Sequence, residues 1–149
     1  MTGVVLGVSG ASGAELALAT ARHLVDLGVD LHLVVSDPAR QTLVAECGDD
    51  ALDELTSMAR AVHPADQIGA SIASGSAPIA GMIVAPCSMR PLAAIACGLD
   101  ESLLTRAASA QLTHRRPPVL LTPEAPLTPA APRNTAPPPD MRAIHLPTG

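Results

Sequence analysis

Residues 2–36 read TGVVLGVSGASGAELALATARHLVDLGVDLHLVVS, and this stretch decides the fold. Thr2–Val8 is dominated by aliphatic and β-branched residues and reads as a buried strand. Five small residues, Ser9-Gly10-Ala11-Ser12-Gly13, close it as a turn. Ala14 to Leu27 is Ala/Leu-rich with helical spacing, and Gly28 is a helix stop signal. Val29–Val35 then reads as a second strand. Strand, turn, helix and strand in that order form a βαβ unit, whose helical crossover leaves its two strands parallel.

The same alternation continues outward. After Ser36-Asp37-Pro38 a short helix runs to Cys47, with Ser36 or Asp37 as its cap and Pro38 in its first turn. Asp49–Arg60 reads as another short helix. His63 to Ser76 is polar and Gly/Ser-rich, in the manner of a binding loop rather than a core element. Gly81–Ala85 is an apolar run fit for a central strand. Pro86-Cys87-Ser88 follows, then a helix of small residues, RPLAAIAC. Glu101–Leu112 gives one more helix and Pro118–Leu121 a fourth strand. The pattern predicts an α/β fold, an open parallel sheet flanked by helices of the Rossmann-like, flavodoxin type, in one domain. Composition shifts near its end: 10 of the 15 prolines fall in residues 117–149. Residues 123–149 are therefore expected to form a proline-rich arm, with Met141–Leu146 as a last short strand.

Composition excludes several chemistries. The chain has 149 residues, a net charge of −5, no Phe, Tyr or Trp, and nine basic residues that are all Arg. Without lysine there is no Walker A phosphate loop, no Schiff base and no pyridoxal phosphate chemistry. Without aromatic rings there is no stacking platform for bases. Acidity without a basic run argues against a nucleic-acid partner. No apolar stretch approaches the roughly 20 residues that span a bilayer, so no membrane association is expected. Met1 leads into the first strand without a basic segment, and the expected location is the cytoplasm. Cys47, Cys87 and Cys97 make no CxxC pair and read as reduced, buried small hydrophobes. His23, His32, His63, His114 and His145 lack metal-ligand spacing, so no metal site is expected.

Open parallel sheets collect ligands at the carboxyl ends of their strands. Three polar turns fall at such ends: Ser9 to Gly13, Ser36-Asp37-Pro38, and Pro86 to Arg90. Glycines let backbone approach a ligand, Ser12, Ser36 and Ser88 supply hydroxyls, and Arg90 supplies a cation near a helix start. Together they describe a nucleotide or phosphate site built without lysine. The first turn is neither GxGxxG nor GxSxG, so neither a standard dinucleotide fingerprint nor a nucleophile elbow is present. Simpler readings stand beside the functional ones: Glu46 as a surface carboxylate, Cys87 as packing, His63 as a loop or capping residue. Arg115-Arg116 reads as a solvated pair or subunit contact, and Met58, Met82 and Met141 as core filler.

The segments VVLGVSGASGAELA, HLVVSDPARQTLVAE, HPADQIGASIASGS, GMIVAPCSMRPLAAI, LLTRAASAQLTHRRPPVLL and PEAPL occur in this order. In sequence and order they resemble the UbiX-type flavin prenyltransferases over residues 3–127. That resemblance implies a flavoprotein domain over residues 1–122 with FMN as cofactor. It implies transfer of a dimethylallyl group from dimethylallyl phosphate to reduced FMN at N5 and C6. The prenylated FMN would serve a UbiD-type decarboxylase, and the enzyme would be a large, commonly dodecameric, homo-oligomer.

Position by position, the resemblance implies FMN contacts at Gly10, Ala11, Ser12 and Ser36 and at Ser88, Met89, Arg90 and Pro91. It places Arg106 near the flavin, Glu46 at proton transfer, and Ser74, Gly75 and Ser76 over the substrate pocket. Two positions depart from the family: Pro123 stands where it has an arginine, and Thr113 where it has a lysine. The chain also ends at Gly149, ahead of a tyrosine and an arginine that hold the substrate phosphate in the family. Two alternatives stay open, an FMN-dependent cysteine decarboxylase, faintly suggested by Pro132-Arg133-Asn134-Thr135, and a non-catalytic FMN-binding homologue.

Overall fold

The computed structural model describes residues 2–67, 70–73, 78–99, 102–123 and 142–146. The opening βαβ unit forms as the sequence predicts: β1 is Gly3–Val8, α1 is Ala14–Asp26 and β2 is Asp30–Val35. The chain continues through α2 (Asp37–Cys47), α3 (Ala51–Met58), β3 (Ala61–His63) and a 3-10 turn at Ser71–Ala73. It ends with β4 (Ile79–Val84), α4 (Met89–Ala96), α5 (Leu103–Thr113), β5 (Val119–Pro123) and β6 (Arg142–Leu146). All six strands are parallel, in the order β3-β2-β1-β4-β5-β6.

Strand alternation divides the core into two layers. Leu6 and Val8 of β1, with Leu31, Leu33 and Val35 of β2, face α1, α2 and α3. Val5 and Val34 point the other way, toward α4, α5 and the 3-10 turn. α1 buries Ala14, Ala17, Leu18, Ala21 and Leu24, one helical face made largely of alanine. Small residues replace the missing aromatic rings by letting helix and sheet approach closely. Gly7 shows this best: a Cβ there would lie 3.1 Å from both Cγ and Cδ1 of Leu104, so α5 rests directly on β1.

Some expectations need correction. His63 is not a loop histidine; it belongs to β3, pairing opposite Val34. Nor is the polar segment after it entirely peripheral, because Ile72 is only 1% exposed and joins the core. Cys87 is buried as expected, but Cys47 is half-buried and Cys97 is exposed. Met82 is core and Met58 packs at its margin. Met141, like most of the expected arm, lies outside the described residues; Arg142–Leu146 pairs with Val119–Pro123.

At the β2–β3 edge, His32 Nδ1 lies 3.1 Å from His63 Nε2 and the rings stack with centroids 5.4 Å apart. One nitrogen donates and the other accepts, so the two rings cannot both be fully protonated and keep this bond. Burial lowers the pKa of both; the Arg60 charge adds to this at His32, against the opposing Asp30, and His32 adds to it at His63. A histidine in the unfolded chain takes its proton near pH 6.5, higher than in the fold. Over that window the unfolded state binds more protons, so this pair's contribution is complete above about pH 6.5 and declines as pH falls. In urea unfolding between about pH 7.5 and 5.5, the wild type is expected to lose stability more steeply than His63→Gln. Equal slopes would show that the pair does not titrate with folding.

Candidate functional site at the sheet switch point

β1 is followed by β2 and β3 on one side, whereas β4, β5 and β6 extend the sheet on the other. The reversal leaves a crevice beyond the carboxyl ends of β1 and β4, where open α/β sheets bind ligands. A cavity of about 410 Å³ opens there, within the size range of small-molecule sites. Ser9 and Gly10 line it after β1, Ser36 and Pro38 after β2, and Ser88, Arg90 and Pro91 after β4. The start of α5 completes the wall with Ser102, Leu104 and Thr105.

Each turn is held by local chemistry. Ser36 caps α2, its Oγ accepting from the Ala39 N–H at 3.2 Å, while its own N–H donates to the Val8 carbonyl at 3.0 Å. Ser102 and Thr105 cap α5 reciprocally: the Thr105 N–H donates to Ser102 Oγ at 3.3 Å and the Ser102 N–H to Thr105 Oγ1 at 3.0 Å. Ser88 opens α4 without a side-chain capping bond. That leaves its hydroxyl uncommitted to the leading N–H groups of the helix, which carry its positive dipole end.

One face of α2, at positions i, i+4 and i+8, supports the first turn. Pro38 packs beneath Gly10, where an added Cβ would lie 2.6 Å from Pro38 Cβ. Thr42 Oγ1 donates to the Pro38 carbonyl at 3.0 Å and reaches the Gly10 carbonyl at 3.3 Å. Glu46 accepts from the Gly13 N–H at 2.9 Å, the Ala14 N–H at 3.0 Å and the Ser12 hydroxyl at 3.2 Å. Gly13 precedes α1 with no capping side chain of its own, so Glu46 supplies the cap from a neighbouring helix. The Ala14 N–H does most to lower the Glu46 pKa; burial, next in size, opposes it, and the Gly13 N–H and Ser12 hydroxyl lower it further. Cys87 is pushed the other way, up to about 12, by burial, and stays a thiol.

Five of the residues expected from the sequence therefore meet at the cavity: Gly10, Ser36, Ser88, Arg90 and Pro91. Ala11 is buried in the first turn, and Met89 contributes the first backbone unit of α4. Ser12 and Glu46 bond to each other at the start of α1 and do not line the cavity. Arg106 is exposed, one residue beyond Thr105. Ser74, Gly75 and Ser76 lie outside the described residues. Ser9 and Pro38, expected in the ligand turns without a contact of their own, also line the cavity, and sequence reasoning missed Ser102, Leu104 and Thr105. The signal for these residues was the cap-like Ser102-x-x-Thr105, which starts the helix at Leu103 rather than at the expected Glu101. Among the described residues no group of three or more His, Cys, Asp or Glu could hold a metal ion.

Comparison with known proteins identifies the family of the chain. The flavoprotein family model matches residues 1–132. The flavin prenyltransferase UbiX of Thauera aromatica is 41% identical over 144 residues, covering 97% of this chain and 74% of the relative. The crystal structure of AnUbiX in complex with FMN and dimethylallyl pyrophosphate is 37% identical, with a TM-score of 0.83 over 89% of this chain and 70% of that one. A dodecameric FMN-dependent UbiX-like decarboxylase from Escherichia coli is 35% identical, with a TM-score of 0.84 over 89% of this chain and 72% of that one. Carried by the matched sequence and by the fold, the chain belongs to the flavoprotein family, within its UbiX flavin prenyltransferase branch.

Proposed function

We propose that this chain is a flavin prenyltransferase, joining the dimethylallyl group of dimethylallyl phosphate to reduced FMN as the allylic C–O bond breaks and inorganic phosphate leaves. The observation that carries the reading is the convergence of three small, polar strand-end turns and the start of α5 on one cavity at the switch point. Its donor set suits FMN. Amides, hydroxyls and a guanidinium can hold a phosphate dianion without lysine, and Leu104, Pro38 and Pro91 offer apolar surface to a ring system. Bound there, reduced FMN supplies the nucleophilic N5 and C6 positions that accept the prenyl unit.

The chain's own residues would then divide the work. Gly10 and Ser36, which line the cavity, hold the phosphate and ribityl portion, and Ser88, Arg90 and Pro91 hold the second side; Ala11, Ser12, Met89 and Arg106 are assigned beside them from the resemblance alone. Leu104 and the prolines keep water from the reacting region. Glu46 is the candidate for proton transfer. Its ionised form is held by the Ala14 and Gly13 amides and the Ser12 hydroxyl, which keep its pKa low, so the proton-transfer role is taken from the resemblance. Ser74, Gly75 and Ser76 are assigned to the substrate cover from the resemblance alone. Homo-oligomerisation, as in the dodecameric relative, and hand-over of the product to a UbiD-type decarboxylase complete the proposal. The cysteine-decarboxylase alternative is not favoured, because the curated relative at 41% identity is a flavin prenyltransferase; Pro132–Thr135, which faintly suggested it, lies outside the described residues.

Mass spectrometry of the flavin after incubation with reduced FMN and dimethylallyl phosphate tests the reaction. The expected product is heavier by one five-carbon unit, and unchanged flavin under conditions where FMN stays bound would contradict prenyl transfer. Glu46→Gln should slow that conversion by about tenfold or more while FMN remains bound, the usual scale for a lost acid–base group being about 10²–10⁴-fold. A rate like the wild type's would remove Glu46 from the chemistry. Gly10→Ala forces a Cβ to 2.6 Å from Pro38 Cβ and shifts the first turn. Its FMN affinity, read by flavin fluorescence titration, should fall by about tenfold, equivalent to about 1.4 kcal/mol. An unaltered dissociation constant would show that this turn does not hold the cofactor.

A further inference from the structure

Two of the turns at the cavity come from distant parts of the chain and meet only because β1 and β4 are neighbours. The ladder between these strands closes with the Ala85 N–H on the Gly7 carbonyl at 2.9 Å. Beyond it the strands no longer pair. Val8, Ala85 and Cys87 are buried in the core, and the Cys87 N–H donates to the Leu121 carbonyl at 2.8 Å. Hydrogen bonds between the first turn and the third run through Ser9. Ser9 spans the gap. Its N–H donates to the Pro86 carbonyl at 3.2 Å, and its hydroxyl donates to the same carbonyl at 2.8 Å. The hydroxyl oxygen also accepts the Ser88 N–H at 2.7 Å. Donor and acceptor capacity are thus both used, at a residue only 4% exposed. A hydroxyl committed twice in a buried site has little freedom to reorient.

The partner it holds matters. Ser88 is the residue before α4, it lines the cavity, and its peptide plane sets the direction in which both its hydroxyl and the helix start face. We propose that Ser9 is a positioning residue of the flavin site. Its hydroxyl fixes the separation of the first and third turns and so aims Ser88 and the start of α4 at the cofactor. This rests on the FMN reading given above, and concerns the hydroxyl rather than the volume of the side chain. Removing it leaves the half-buried Ser88 N–H without its acceptor and lets the two turns drift apart.

Ser9→Ala and Ser9→Thr separate this role from general structural support, because threonine keeps the hydroxyl. FMN titration of the full chain should show affinity reduced about tenfold or more in Ser9→Ala and restored to within about threefold of wild type in Ser9→Thr. Residue-resolved amide hydrogen exchange of ligand-free protein should show the Ser88 amide losing protection in Ser9→Ala while amides within β1 and β4 keep theirs. Wild-type affinity in Ser9→Ala would overturn the proposal. So would equal loss in both variants, or loss of protection throughout β1 and β4, or failure of Ser9→Ala to fold, each of which makes Ser9 a structural residue. If the wild type itself takes up no FMN, the cofactor reading fails. In that event the Ser88 exchange result still shows whether the hydroxyl holds the turn.

Discussion

The sheet grows in one direction from β1 to β3 and in the other from β4 to β6, and the geometry of the site follows from that reversal. Parallel pairing sends every strand out of the same edge, so the helices that return from β1, β2 and β4 begin at that edge with their N–H groups leading. Between β1 and β4 the chain departs to opposite faces, and nothing of the sheet's own fills the gap. The turns that flank it are small because larger residues would close it: Gly10 is already against Pro38, and Gly7 lets Leu104 of α5 reach the same edge.

The missing residue types shape the site as much as those present. Without aromatic side chains the layers are packed with alanine and branched aliphatics, and the inner face of α1 is largely alanine. Without lysine, anion binding falls to oriented amides, hydroxyls and arginine. Such a cradle is pre-organised, since its donors belong to capped helices and to turns tied down at several points. α2 supplies much of that restraint from behind, through Pro38, Thr42 and Glu46, one turn of helix apart. The acidic residue among them satisfies the start of α1 and leaves the cavity lining to neutral groups and Arg90.

How much of this was legible in the sequence depends on the range of the interactions. The first βαβ unit was legible because its signals are local: a β-branched run, a Gly/Ser turn, a helical apolar period and a glycine stop. The turns after β1, β2 and β4 were legible for the same reason, and with them Gly10, Ser36, Ser88 and Arg90; Pro91 came from the family resemblance. α5 was foreseen as a helix, but its arrival at the cavity depends on Gly7 of a strand far away in sequence, and no local pattern records that. β3 escaped because three residues containing a histidine carry no strand period, and its partner is chosen by the exposed edge of β2. Ile72 lies in a polar stretch whose composition outweighs one buried residue. Glu46 was singled out by resemblance, while its contact with Ser12, Gly13 and Ala14 is a tertiary fact.

The central claim is that a lysine-free cradle at this switch point grips the phosphate end of FMN. A chain without Phe, Tyr or Trp makes the direct measurement unusually clean, since visible and near-ultraviolet absorption above a weak background comes from flavin alone. Folded protein mixed with excess FMN or excess riboflavin and then desalted is expected to retain one FMN per chain and little riboflavin. Colourless protein in both cases, or equal retention of the two, would contradict the account.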